Sequence, residues 1–159
     1  MTVTGIGEIY RRLTGAPHRG RVAAAVPVRP RAAGGLEFLL VRTSNGTRWT
    51  FPKGGRERGE TLAAAAAREA IEEAGAAGRA GDEPLAEYRY GADVVVAFLL
   101  AVDHVDLPAE AERTPTWFGF EAARSKLAEG RDGGFGEEME RVLLAAERAA
   151  GLSRAGSTH

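Results

Sequence analysis

The run Val94–Val102, VVVAFLLAV, is apolar at every position and holds no turn residue. It is too short for a typical helix and rich in β-branched side chains, so it reads as a strand. A strand with no polar alternation is buried on both faces. That segment restricts the fold, because the chain must supply a cover for each side of the sheet that carries it. Other short apolar runs supply its neighbours: Val22–Val28, bounded by Pro27 and Pro30, then Leu36–Arg42, Trp49–Phe51, Tyr88–Tyr90 and Trp117–Phe120. Helical patterns supply the covers. Thr61–Ala74 has a Thr N-cap position, five consecutive Ala and Gly75 at its end. Glu121–Ala128 reads as a short helix, and Gly136–Ala150 carries Met139, Val142, Leu143, Ala146 and Ala150 at helical spacing. The order strands, helix, strands, helix, helix predicts an α/β fold with a mixed β-sheet between helices.

Asn45-Gly46 marks a hairpin turn. Pro52–Gly59 and Gly78–Pro84 read as loops, and Asp103–Pro115 as a polar, acidic connection. Gly7–Leu13 reads as a short helix within an N-terminal arm over 1–20, followed by a single domain over 21–150 and a disordered tail over 151–159. A length of 159 residues suits one domain with a core of its own. Zero cysteines exclude a disulfide scaffold, a cysteine nucleophile and any thiolate metal site. No apolar run approaches the ~20 residues of a membrane span, and no secretory signal opens the sequence, so a soluble cytoplasmic protein is expected.

The formal net charge of −1 argues against a nucleic-acid polymer or a membrane surface as partner. It conceals a split. Residues 1–53 hold nine Arg and Lys against two acids, and residues 54–159 hold 12 bases against 20 acids. The basic front ends at Lys53, where the acidic part begins, so Arg and Lys of residues 19–53 are expected to gather near the helix over 61–74. The bases are 19 Arg and only two Lys, a bias that GC-rich coding also produces.

That helix carries an unusual pattern. Glu69, Glu72 and Glu73 stand at i, i+3 and i+4, so they share one face. Like charges at this spacing disfavour a helix by roughly 0.2–0.5 kcal/mol per pair. A hard divalent cation such as Mg²⁺ removes the conflict, since it takes carboxylate oxygens and keeps places for phosphate or water. A solvated Ala/Glu/Arg helix is the plain alternative. Arg68 lies eight residues after Glu60 and is long enough to hold its carboxylate bidentately, which would orient the ridge.

Read from Gly54, the chain shows Gly54, five residues, Glu60, seven residues, Arg68-Glu69, an apolar residue, any residue, Glu72-Glu73, any residue, Gly75 and an apolar residue. This resembles the Nudix box in full, with Ala70 and Ala76 at its two aliphatic positions. Trp49-Thr50-Phe51-Pro52-Lys53-Gly54-Gly55, and Arg113 four residues before Trp117-Phe118, are similar to segments of diadenosine polyphosphate and diphosphoinositol polyphosphate hydrolases. The similarity covers roughly residues 20–145. It implies an α/β/α sandwich and Mg²⁺- or Mn²⁺-dependent hydrolysis of a diphosphate linkage in a nucleoside diphosphate derivative. By position it implies Glu69 and Glu73 as metal ligands, Glu72 as a ligand to a second metal or through water, and Glu60 and Arg68 as supporting residues. A backbone carbonyl near Lys53–Gly54 often completes such a shell.

The general base is not fixed by the box. A box Glu, or Glu110 or Glu112 in the later loop, are the candidates, with Asp103 and Asp106 behind them; loop acids are more often simply solvated. Lys53, Arg42, Arg48 and Arg113, with Gly54 and Gly55, are the candidates for gripping substrate phosphates, with Arg21 and Arg29 behind them. Trp49 and Phe51 would stack on a base or, by their usual burial, belong to the core. His18, His104 and His159 have no metal spacing. The favoured substrate is a small polyphosphate, either a diadenosine polyphosphate or a diphosphoinositol polyphosphate. A nucleoside triphosphate or nucleotide sugar is the first alternative, and a non-catalytic nucleotide-binding module the second. Monomer and homodimer both stay open.

Overall fold

A computed structural model describes residues 22–156, with side chains described as far as Gly151. The expected arm over 1–20, its short helix, Arg21, His18 and His159 lie outside the described residues. Eight strands, three helices and a 3₁₀ turn make up the described part. The strands are β1 (Val22–Pro30), β2 (Leu36–Arg42), β3 (Trp49–Thr50), β4 (Lys53–Gly55), β5 (Ala76–Ala80), β6 (Ala86–Tyr90), β7 (Asp93–Val105) and β8 (Thr116–Gly119). The helices are α1 (Leu62–Ala74), α2 (Phe120–Ala128) and α3 (Gly133–Gly156), and the 3₁₀ turn is Ala111–Arg113.

The apolar run sits in β7, at the centre of one mixed sheet. Its residues 95–101 pair in parallel with 22–28 of β1, while β6 and β5 pair antiparallel with successive parts of its other edge. β1 is shared in the same way. Its start pairs with β4 (Ala24 with Lys53, Val22 with Gly55) and its end with β2 (Val28 with Phe38). β8 extends the sheet beyond β2.

Strand alternation sends two sets of side chains to two cores. Val22, Ala24, Val26, Phe38, Leu40, Val95 and Ala97 face α2 and α3, meeting Leu127, Met139, Val142 and Leu143. Ala23, Ala25, Leu39, Val41, Val96, Phe98 and Leu100 face α1. There the fully buried residues of the helix are all small, Ala65, Ala66, Ala70 and Ala74, with Leu62 packed at the edge. The result is the expected α/β/α sandwich. Trp49 and Phe51 are buried in the core facing α2 and α3.

Several boundaries differ from the sequence reading. The Gly-rich stretches over 52–59 and 78–84 are not wholly loops: Lys53–Gly55 forms β4 and Ala76–Ala80 forms β5. Tertiary pairing decides both. At the β-bulge after Ala77, a Cβ on Gly78 would run into the carbonyl oxygen of Ala101, so glycine permits the approach that an isolated reading takes for a loop. β7 continues to Val105, into the stretch expected to be a connection, because β5 pairs with it as far as Ala76 with Val105. The closing helix starts at Gly133 and runs to Gly156.

Candidate functional site

α1 begins where Thr61 accepts a hydrogen bond from the Ala64 N–H at 3.1 Å, and it ends at Gly75 in the left-handed region, φ 67°. These two caps bound the helix, and the burial of Ala65, Ala66, Ala70 and Ala74 against the sheet sets which face turns to it. Gly54 of β4 lies so close that a Cβ there would occupy the position of the Glu69 carboxylate. The Lys53 N–H donates to Glu73 Oε2 at 3.1 Å. The box strand and the box helix thus close on each other through backbone and carboxylate.

Arg68 organises the outer side. Its Nε and Nη2 donate to the two oxygens of Glu60 at 2.9 and 3.0 Å, and Nη2 also reaches the Gly55 carbonyl at 3.0 Å. Its Nη1 donates to Glu69 at 3.0 Å and to Glu72 at 3.3 Å. These hydrogen bonds hold the Glu60 carboxyl below the usual carboxylate range, against a smaller opposing effect of burial. Arg113 organises the inner side. Its Nε donates to Glu110 at 3.1 Å, its Nη1 to the Arg42 carbonyl at 3.2 Å, and its Nη2 lies 3.5 Å from Glu73. The Glu110 N–H donates to the Glu72 carbonyl, which ties the 106–114 segment to the end of α1.

Glu73 is one of two polar or charged residues buried among the described residues, and Glu69 is nearly as enclosed. Burial, reinforced by the Glu73 charge, pushes the Glu69 carboxyl up to about 8. Burial pushes Glu73 up to about 7, against the pull of Arg113 and Lys53. Two enclosed carboxylates that repel one another, with Glu72 more exposed beside them, are hard oxygen donors short of positive charge. Their chemistry fits a divalent cation. Among the described residues no three acids already converge as a preformed metal cluster, and the neighbouring cations are Lys53, Arg68 and Arg113.

The expected residues therefore divide. Lys53, Gly54, Gly55, Glu60, Arg68, Glu69, Glu72, Glu73, Glu110 and Arg113 come together. Arg42 stacks its guanidinium on Trp49, 4.2 Å from the ring centroid, and contributes its carbonyl rather than its charge. Glu112 is exposed on the 3₁₀ turn, where its carbonyl accepts from the Thr114 hydroxyl. Arg29 and Arg31 lie by β8, against Trp117 and Gly119, so only part of the basic front gathers at the box. Arg48 lines a neighbouring pocket.

Two pockets open beside the ridge. One, about 190 Å³, is lined by Thr43, Ser44, Thr50, Lys53, Glu73, Tyr90 and Arg113. The other, about 310 Å³, is lined by Arg48, Tyr90, Gly91, Gly130, Arg131, Asp132 and Phe135. Tyr90 and Arg131 were not among the residues the sequence singled out. Both lie far from the box along the chain and carry no spacing signal; only the pairing of β6 with β7 and the docking of α3 bring them to it.

Comparison with known proteins agrees with this architecture. A family model described as NUDIX domain matches residues 18–148. Nudix hydrolase 16, mitochondrial, of Arabidopsis thaliana is 51% identical over 43 residues, 27% of this chain and 24% of that protein. Nudix hydrolase 12, mitochondrial, of the same plant is 47% identical over 55 residues, 35% of this chain and 27% of that protein. The matched stretch spans about a quarter of the length of these curated relatives. Among solved structures, a binary complex of a C. elegans Ap4A hydrolase superposes with a TM-score of 0.63 at 28% identity, covering 86% of this chain and 99% of that one. A NUDIX hydrolase from Nitrosomonas europaea shares the fold with a TM-score of 0.60 at 23% identity, covering 80% and 73%.

Proposed function

The chain belongs to the NUDIX family, and on that premise we propose that it hydrolyses the diphosphate linkage of a small polyphosphate with the help of Mg²⁺ or Mn²⁺. The observation that carries this reading is the enclosed pair Glu69 and Glu73 packed against the Lys53–Gly54 backbone, with the Lys53 and Arg113 side chains beside it. Glu69 and Glu73 would hold the metal, with Glu72 towards a second ion or its water. A bound divalent cation supplies charge neutralisation at phosphate oxygens and lowers the pKa of a coordinated water.

The chain's own residues do the rest. Arg68 fixes Glu60, Glu69 and Glu72 relative to one another, so the ridge is positioned before substrate arrives. Lys53 and Arg113 line the smaller pocket and place positive charge where phosphate oxygens would lie. Phosphoryl transfer needs such positioning and charge stabilisation more than a special nucleophile. Glu72 and Glu110 are the acids we propose for accepting the proton of the attacking water; Glu110 adjoins the site through Arg113, whereas Glu112 faces solvent. A diadenosine polyphosphate or a diphosphoinositol polyphosphate is the favoured substrate. The C. elegans likeness supports the former, and the basic pocket suits either.

The deciding experiment is a substrate panel in ¹⁸O-labelled water, with and without Mg²⁺, comparing wild type and Glu73→Gln. The expected result is metal-dependent cleavage of a polyphosphate, reduced at least a hundredfold in the variant. Binding without turnover, or turnover indifferent to Glu73→Gln, would sink the proposal in favour of a non-catalytic binding module.

A further inference from the structure

The larger pocket is built differently from the metal ridge. Arg48 and Arg131 line it, and among the described residues neither guanidinium has a carboxylate within ion-pair distance. Arg131 is held in place: its Nη2 donates to the Tyr90 hydroxyl at 3.2 Å and to the Trp49 carbonyl at 3.4 Å, and its Nε is buried without a partner. Its guanidinium carbon lies 4.5 Å from the Phe135 ring centroid and 4.9 Å from that of Tyr90. Arg48 packs over the turn at Gly130, where the backbone adopts φ 72°. The one acid among the described residues lining it, Asp132, accepts a hydrogen bond from the Phe135 N–H at 3.0 Å, as a cap for α3.

Tyr90 is common to both pockets. Lys53, which lines the smaller, sits 3.9 Å from its ring centroid, and Arg131, which lines the larger, also lies over it. The ring therefore already carries two cations, and these cation–π contacts use surface on which a base would stack. A fixed, partly buried guanidinium at Arg131 and an exposed one at Arg48, with no carboxylate paired to either among the described residues, match the oxygens of a phosphoryl group instead.

We propose that Arg48 and Arg131 form an anion subsite that takes a further phosphoryl group of the substrate, and that no nucleobase stacks on Tyr90. As a statement about substrate this rests on the hydrolase reading; as a statement about binding it stands by itself. The site thereby selects for charge density at a distance from the metal ridge, so a densely phosphorylated molecule without a base satisfies it as well as a nucleotide does.

Calorimetric titration of metal-free protein with inorganic tripolyphosphate tests this without turnover. Arg48→Gln and Arg131→Gln should each raise Kd about tenfold. Arg79→Gln, which removes the same charge from an exposed position on β5, should leave it within twofold. Arg131→Lys, which keeps the charge, covers the case in which Arg131→Gln does not fold. Adenosine at millimolar concentration should not displace tripolyphosphate. The proposal is overturned if wild type does not bind tripolyphosphate, if Arg48→Gln binds it as Arg79→Gln does, or if adenosine competes. Binding lost in Arg48→Gln by a protein that cleaves nothing with any divalent cation supports the subsite and refutes the hydrolase reading.

Discussion

At Glu69 and Glu73 the chain holds two carboxyls whose pKa values rise on folding, to about 8 and about 7 from 4.5. A carboxyl raised in this direction favours the folded state while protonated and disfavours it once ionised. The metal-free protein should therefore lose stability as pH climbs from about 4.5 through about 8. Thermal melts in chelator across that range check this, and Glu69→Gln should flatten the fall; a midpoint that rises with pH would contradict the burial of the pair. Divalent-cation affinity should move the other way and increase with pH, because binding expels the protons. Gly54→Ala makes a complementary test. Its Cβ would meet the end of a flexible side chain, not backbone, so the Glu69 carboxylate moves and the fold stays. We expect cation affinity to drop at least tenfold, read by calorimetry, with the melting temperature changed by only a few degrees.

α1 owes its limits to its caps. Thr61→Ala removes the capping oxygen and should cost about 1 kcal/mol. In a domain of this size that lowers the melting temperature by roughly 2–4 °C. Gly75→Ala should be worse, because it forces φ 67° on a residue with a Cβ and drives that Cβ into the Asp106 carbonyl, which is backbone and cannot turn aside. Differential scanning calorimetry of the two variants should rank them in that order. Both caps, the acidic face and the Arg68–Glu60 pairing were legible in the sequence, because each is a local pattern on one helix. The central strand was legible for the same reason, through an apolar run that no edge strand carries. β4 and β5 were not, since glycine-rich segments become strands only by pairing with β1 and β7. Tyr90 and Arg131 were not either. A Tyr ahead of a Gly and an Arg ahead of an Asp have no spacing relative to the box until three elements meet.

Across the whole molecule, the charge split of the sequence becomes a partial sorting in space. Lys53 and Arg48 of the basic front reach the cleft, while Arg29 and Arg31 stay at the β8 end. Polyphosphate binding should accordingly weaken with ionic strength, with a smaller salt dependence in Arg48→Gln, which fluorescence or calorimetric titration over a salt series would show. The parallel pairing of β1 with β7 joins residues 22–28 to residues 95–101. A chain emerging from the ribosome cannot close that ladder until β7 has been synthesised. β4 and the box helix are built on β1, so Lys53 and Glu73 have no completed sheet to rest on before then. Folding must wait for a distant segment, which makes it slow for a domain this small and leaves the Ala-lined face of α1 uncovered meanwhile. A nascent chain arrested before residue 95 should thus be protease-sensitive throughout, box included, and depend on chaperones for as long as the central strand is missing.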